Sequence, residues 1–323
     1  MADALIARYA AIVCDLDGVV YAGPEPIEHA VEALVAASDN GAHVVYATNN
    51  ASRTPAEVAG HLREFGLVVD DADVVNSSAA GAYLLAGSLT AGARVLAVGG
   101  AGVGVALTEA GLTPVSPQEA RDGTPVEAVL QGYGADVRAS DLAEAGFAVA
   151  GGARWMATNT DLTLPTDRGV APGNGSLVGA VRNAVGVDPE VAGKPMPTMY
   201  EMAARRSGVD AHQVLAIGDR LETDIEGAVR AGMDSVLVLT GVHDLADAAA
   251  AAPERRPTFV VEDLRSLAKP YDEDPSAPGT SHDALTWSQA RALLRATWAE
   301  VDAGELDADG ARHRFTDLTV RSA

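Results

Sequence analysis

The chain is poor in positive charge. It carries 23 Lys and Arg against 45 Asp and Glu, a formal net charge of −22. Nucleic acid is held by basic patches and anionic membrane surfaces by polybasic segments, so neither partner is expected. Cys14 is the single cysteine. An internal disulfide is therefore excluded, and a reducing, cytoplasmic compartment is expected. Aromatic residues make up 4 %, which leaves Ala, Val and Leu to build the core. No apolar run reaches the ~18 residues that a membrane span needs. The stretch before Asp15 is too short for the apolar region of a signal peptide. The seven histidines show no metal-ligand spacing, which argues against a zinc site. The rest of the composition, 48 % apolar and 21 % charged, is that of a folded globular chain. Its 323 residues suggest about two domains.

What is present is an alternation of strand and helix. Ala11-Ile12-Val13-Cys14 is a continuous apolar run, as expected of a strand buried on both faces. Ile27, Ala30, Val31, Leu34 and Val35 form a helical stripe that ends near Gly41. A second strand over 44–47 runs into Thr48-Asn49-Asn50, and Thr54-Pro55-Ala56-Glu57 reads as a capping box closed by Gly66 downstream. Further strands are expected at 95–98, 126–130, 155–157, 214–217, 236–239 and 259–261. The pattern implies an α/β fold with mainly parallel sheets. Residues 269–283, rich in proline and acid, read as a linker. Beyond it, Trp287, Ala290, Leu294, Trp298 and Val301 share one helical face, so the tail is expected to dock.

The chemistry-bearing residues follow strands. In open α/β sheets ligands bind at the carboxyl ends of strands. Asp15 and Asp17 follow the first strand and precede Gly18; Gly218-Asp219, with Asp224 beyond, follows another. Acids crowded at such places repel one another unless a cation or shared proton offsets the charge, and they can form a hard-oxygen Mg²⁺ site. Each alone is equally readable as a solvated turn or an acidic helix start. Lys194, between Gly193 and Pro195, is a point charge suited to phosphate, and Thr48-Asn49-Asn50 offers a hydroxyl and backbone N–H groups. Gly99-Gly100-Ala101-Gly102 lacks the dinucleotide spacing and reads as structural.

Taken together and in order, these elements resemble the haloacid-dehalogenase superfamily. Asp15-Leu16-Asp17-Gly18-Val19-Val20-Tyr21 matches its first motif, Thr48 the second, Lys194 the third, and Gly218-Asp219 with Asp224 the fourth. Ala157-Thr158-Asn159-Thr160-Asp161, Pro172-Gly173-Asn174-Gly175 and Gly193-Lys194-Pro195 narrow the resemblance to the NagD-like branch.

That resemblance implies a Rossmann-like core of residues 1–88 and 187–268 with a parallel sheet. It also implies an inserted α/β cap over 89–186, and 284–323 is left as a helical C-terminal extension. It implies Mg²⁺-dependent hydrolysis of a small phosphomonoester through an aspartyl-phosphate. Glycerol 3-phosphate is the first expected substrate; phosphoglycolate, sugar phosphates, nucleotides and pyridoxal phosphate are alternatives, and a silent binding protein of the same fold is the other class. Asp15 is implied as nucleophile and Asp17 as acid–base. Mg²⁺ would be held by Asp15, the Asp17 carbonyl and Asp219, with Asp224 behind them. Gly18, Thr48, Asn49, Asn50 and Lys194 would bind phosphate. Asp161, Leu164, Asp167 and Arg168 in the cap would face the substrate, and self-association would use the cap or the extension.

Overall fold

The computed structural model describes residues 3–166, 168–272 and 285–321. The linker expected at 269–283 lies outside these from residue 273 onward. The chain divides into two compact units, residues 1–44 with 207–323, and residues 45–206.

A six-stranded parallel sheet has the order Phe259–Val261, Asp234–Val238, Val214–Gly218, Ala11–Cys14, His43–Thr48 and Val74–Asn76. Every residue of Ala11–Cys14 and of Val214–Gly218 is buried, as the unbroken apolar runs require. The two strands pair in register, Ala11 with Val214 through Cys14 with Ile217. Their carboxyl ends therefore deliver Asp15 and Asp219 side by side.

The expected helix near residue 30 starts later than its apolar stripe. It spans Ala30–Asp39, because residues 21–26 fold into a short antiparallel hairpin and the Ile27 N–H is spent on the Val20 carbonyl at 2.9 Å. The helix Pro55–Glu64 carries the expected capping box from Thr54 to Glu57 and ends at Gly66, whose φ of 97° is left-handed.

In the second unit a five-stranded parallel sheet has the order Glu190–Val191, Arg154–Ala157, Ala128–Gln131, Arg94–Val98 and Thr113–Val115. Leu96, Val98, Val129, Trp155, Val178 and Val181 form its core under the helices Ala139–Ala150 and Asn174–Val185. The expected strand at 126–130 is shifted to Ala128–Gln131. Thr163–Thr166 and Gly169–Pro172 pair as a separate antiparallel hairpin. The glycine turn at 99–102 is structural: a Cβ on Gly100 would lie 2.6 Å from the Ser52 carbonyl, and one on Gly102 2.6 Å from those of Ala51 and Arg53.

The C-terminal segment is two helices, Trp287–Asp302 and Ala308–Thr316, flanked by a two-stranded parallel pair, Leu285–Thr286 with Val320–Arg321. Helix periodicity alone does not announce that pair, since two residues per strand carry no pattern. Tyr271, at the start of the expected linker, is anchored: its hydroxyl accepts the Val260 N–H at 3.1 Å and the Arg291 guanidinium stacks on its ring at 4.1 Å.

Candidate active site

In the first unit the sheet brings three carboxylates together. Ligand oxygens of Asp15, Asp219 and Asp224 all lie within 4.8 Å of one another. Asp219 and Asp224 are buried and Asp15 is half-buried.

The local backbone explains how each is aimed. Asp15 donates its N–H to the Ile217 carbonyl at 2.9 Å, so the first strand's pairing extends one residue past its end. Leu16 then turns wholly inward, and Gly18 takes a φ of 85°. Only glycine fits there, since a Cβ would meet Asp219 Oδ2 at 2.4 Å. Asp219 Oδ2 accepts the Val242 N–H at 2.8 Å, and its backbone carbonyl accepts that of His243 at 3.2 Å. Leu221–Ile225 is a single π-helical turn, in which the Ile225 N–H reaches back to the Arg220 carbonyl at 3.1 Å. Such turns concentrate at functional sites. This one swings Asp224 over Gly218, where its Oδ2 accepts the Arg220 N–H at 3.1 Å.

Three clustered carboxylates repel one another, and a divalent cation offsets the cost. The donors are all hard oxygens, with no histidine or cysteine among them. That set fits Mg²⁺ rather than zinc. Asp224, expected behind the ligands, has its carboxylate within 4.8 Å of those of Asp15 and Asp219. Asp17 is exposed on the turn, bridged to Tyr21, and its carboxylate is not one of the three.

In the second unit Asn49 is a hub. Its Oδ1 accepts the Lys194 N–H at 2.9 Å, and its Nδ2 donates to the Lys194 carbonyl at 3.2 Å and to Asp161 Oδ2 at 3.4 Å. The Asn49 carbonyl accepts from Ser77 Oγ and Asn159 Nδ2, both at 2.7 Å. Lys194 is buried, and its Nζ donates to the Ala47 carbonyl at 3.1 Å. The buried Thr48 hydroxyl accepts the Asn50 N–H at 3.1 Å. Gly193 is needed here too, since a Cβ would lie 2.5 Å from the Thr158 carbonyl and 2.6 Å from Asn49 Oδ1. Asn49, Asp161 and Lys194 thus belong to one hydrogen-bonded group, with Thr48 and Asn50 bonded to each other beside it in the chain.

Arg168 does not join it: it is exposed at the hairpin tip, its N–H on Thr166 Oγ1 at 3.3 Å. Leu164 is half-buried in the same hairpin, and Asp167 lies outside the described residues.

The chain matches the haloacid dehalogenase-like hydrolase family over residues 12–113 and a HAD-hydrolase-like family over 191–267. It is 48 % identical over 256 residues, 79 % of this chain and 70 % of the relative, to a D-glycerol 3-phosphate phosphatase of Mycobacterium tuberculosis. The chain is a member of the haloacid dehalogenase-like hydrolases. An acid sugar phosphatase of Staphylococcus aureus is 35 % identical over 240 residues, 74 % of this chain and 90 % of that one. The crystal structure of the glycerol phosphate phosphatase of M. tuberculosis in complex with magnesium superposes with a TM-score of 0.83 at 42 % identity, covering 93 % of each chain.

One part of this hydrolase site escaped the sequence reading. The loop Gly241-Val242-His243 holds Asp219, and its only signal is its place just beyond a strand's carboxyl end. Asn159 and Asn174, which stand in the motifs that carry the resemblance, are structural braces: Asn174 Nδ2 donates to the Asn159 carbonyl at 2.7 Å and so supports the Asn49 hub.

Proposed function

We propose that this hydrolase is a Mg²⁺-dependent phosphatase of a small phosphomonoester, with glycerol 3-phosphate as first substrate. The carboxylate cluster of Asp15, Asp219 and Asp224 is the observation that carries the reading. Likeness to a named D-glycerol 3-phosphate phosphatase supports the substrate. We assign residues 1–88 and 187–268 to a catalytic core and 89–186 to a cap that excludes water and selects the leaving group. Residues 269–283 are the linker and 284–323 the C-terminal extension. A cytoplasmic location is part of the reading, and the net charge of −22 keeps nucleic acid and anionic membranes out of it.

Asp15 is the nucleophile. One of its carboxylate oxygens attacks phosphorus as the bond to the leaving alkoxide breaks, giving an aspartyl-phosphate. Asp17, exposed on the turn, gives its proton to the alkoxide. As a carboxylate it then takes a proton from the water that attacks phosphorus, which releases phosphate and restores Asp15. Thr48, the Asn49 and Asn50 backbone and Lys194 hold the phosphoryl oxygens, with Gly18 leaving room at the turn. Asp161 and Arg168 contact the leaving group. Asp15, the Asp17 carbonyl and Asp219, with Asp224 beside them, would hold Mg²⁺, which when bound neutralises the carboxylates and stabilises charge on the phosphoryl group.

The test is hydrolysis of a panel of phosphomonoesters ranked by kcat/KM with and without Mg²⁺. Glycerol 3-phosphate should lead, EDTA should abolish turnover, and Asp15→Asn should be inactive on every ester. Phosphoglycolate, a sugar phosphate, a nucleotide or pyridoxal phosphate at the head of the ranking would replace the substrate. An Asp15→Asn variant that keeps turnover would remove the mechanism.

A further inference from the structure

The turn that carries Asp219 and Asp224 has a second side. Its apolar residues, Leu221 and Ile225, belong to a cluster completed by Leu245, Ala248 and Ala249 and by Leu294, Trp298 and Phe315 of the C-terminal segment. The same segment grips the five-residue helix Leu245–Ala249. Trp298 Nε1 donates to the Ala248 carbonyl at 2.9 Å, and Arg312 pairs with Asp247. Leu245, Ala246, Ala248 and Ala249 are all buried, although so short a helix has little stability of its own.

That helix is continuous with the loop that holds the carboxylates. Val242 N–H binds Asp219 Oδ2, and His243 N–H binds the Asp219 carbonyl. The His243 ring closes the connection: its Nδ1 accepts the Leu221 N–H at 3.2 Å, the first residue of the π turn. Acceptance at Nδ1 puts the ring proton on Nε2, which faces Glu222 Oε2 at 3.5 Å.

We propose that the C-terminal segment 285–321 is a positioning element of the carboxylate cluster, acting through the Leu245–Ala249 helix and His243 to raise the cluster's affinity for a divalent cation. A cation must bring three mutually repelling carboxylates to fixed places. A turn and loop already fixed from behind lose less freedom on binding. Residues of this kind typically change metal affinity ~10–100-fold when removed. His243, Trp298 and Arg312 are the positioning residues. The inference rests on the reading that Asp15, Asp219 and Asp224 take Mg²⁺.

Calorimetric titration of the full-length chain with MgCl₂ tests it, alongside the Mg²⁺ dependence of 4-nitrophenyl phosphate hydrolysis. His243→Ala should raise the Mg²⁺ Kd roughly tenfold. Trp298→Phe and Arg312→Ala should raise it by less, and in each kcat should return at saturating Mg²⁺. His243→Asn, whose Oδ1 can accept the Leu221 N–H, should recover part of the affinity. Val178→Ala, in the core of the other unit, serves as a control that lowers the melting temperature without moving Kd. If the three variants melt early like the control and bind Mg²⁺ as the wild type does, the inference is overturned. A wild type that binds no Mg²⁺, or an Asp219→Asn variant that binds it unchanged, would instead remove the underlying reading and the inference with it.

Discussion

Asn49 clasps Lys194 by both backbone groups, its Oδ1 on the Lys194 N–H at 2.9 Å and its Nδ2 on the Lys194 carbonyl at 3.2 Å. An amide side chain is the natural fit, since it offers one acceptor and one donor in a plane. Asn49→Ala leaves both Lys194 groups short of a partner, at a cost of about 1–3 kcal/mol. Asn49→Asp should be worse, because an acceptor replaces the donor that faces the Lys194 carbonyl and Asp161. The expected order of kcat/KM is wild type, then Ala, then Asp, measured with 4-nitrophenyl phosphate. An Asp variant as active as the wild type would separate Asn49 from the function of Lys194.

Divalent cation should stabilise the fold as well as support turnover. A ligand at ~100 times its Kd adds about 2.7 kcal/mol by mass action, so EDTA should lower the melting temperature measurably. Asp219→Asn should abolish that response while leaving the cation-free protein at least as stable as the wild type. The substituted amide can keep its oxygen on the Val242 N–H and turn its NH₂ toward the two remaining carboxylates, relieving repulsion. Melting curves with and without Mg²⁺ check both halves. A variant that still gains stability from Mg²⁺ would place the cation elsewhere.

The first strand and the residues that follow it were legible in the sequence because one physical demand fixed both. A strand buried on both faces must be apolar throughout, so the acids at its end stand out. Thr54 to Glu57 was legible for the same reason, since a helix start has few chemical solutions. The closeness of Asp224 to Asp15 and Asp219 was not. Its place in the cluster depends on a π turn at Leu221–Ile225, and one extra residue in a turn leaves no periodic trace. The Val242–His243 loop was hidden because it acts through backbone N–H groups, which every residue but proline has. The short strands at Val74–Asn76 and Thr113–Val115 were missed because three residues cannot show a period.

Arg154 and Glu190 join two strands of the five-stranded sheet by a bidentate contact, both bonds at 2.6 Å. The Arg154 guanidinium holds the Glu190 carboxyl below its usual range by hydrogen bonding to its charged form. A carboxyl lowered in the folded state stabilises the fold above its unfolded pKa and loses that contribution as pH falls through the folded value. Arg154→Ala should therefore lower stability by about 0.5–1 kcal/mol near pH 7, as for an exposed pair of good geometry. Its melting temperature should converge on that of the wild type in acid, below the usual glutamate range. A gap that persists unchanged in acid would show that Arg154 acts through packing and its hydrogen bond to Ser88 instead.

Gly218 gives the sharpest steric test of the carboxylate cluster. A Cβ there would lie 2.2 Å from the Asp224 Cβ, a position set by the backbone and not by a flexible side-chain end. Gly218→Ala must therefore push the π turn away from the strand, at about 1–3 kcal/mol of overpacking. Asp224 moves with it, so the Mg²⁺ Kd should rise and turnover should fall more than stability does. Gly60 provides the contrast, since it lies inside the helix Pro55–Glu64 and nothing stands within 4 Å of its added Cβ. Gly60→Ala should raise stability by roughly 0.5–1 kcal/mol and leave Mg²⁺ affinity alone. Equal Mg²⁺ affinity in Gly218→Ala and the wild type would mean that Asp224 is not part of the cation site.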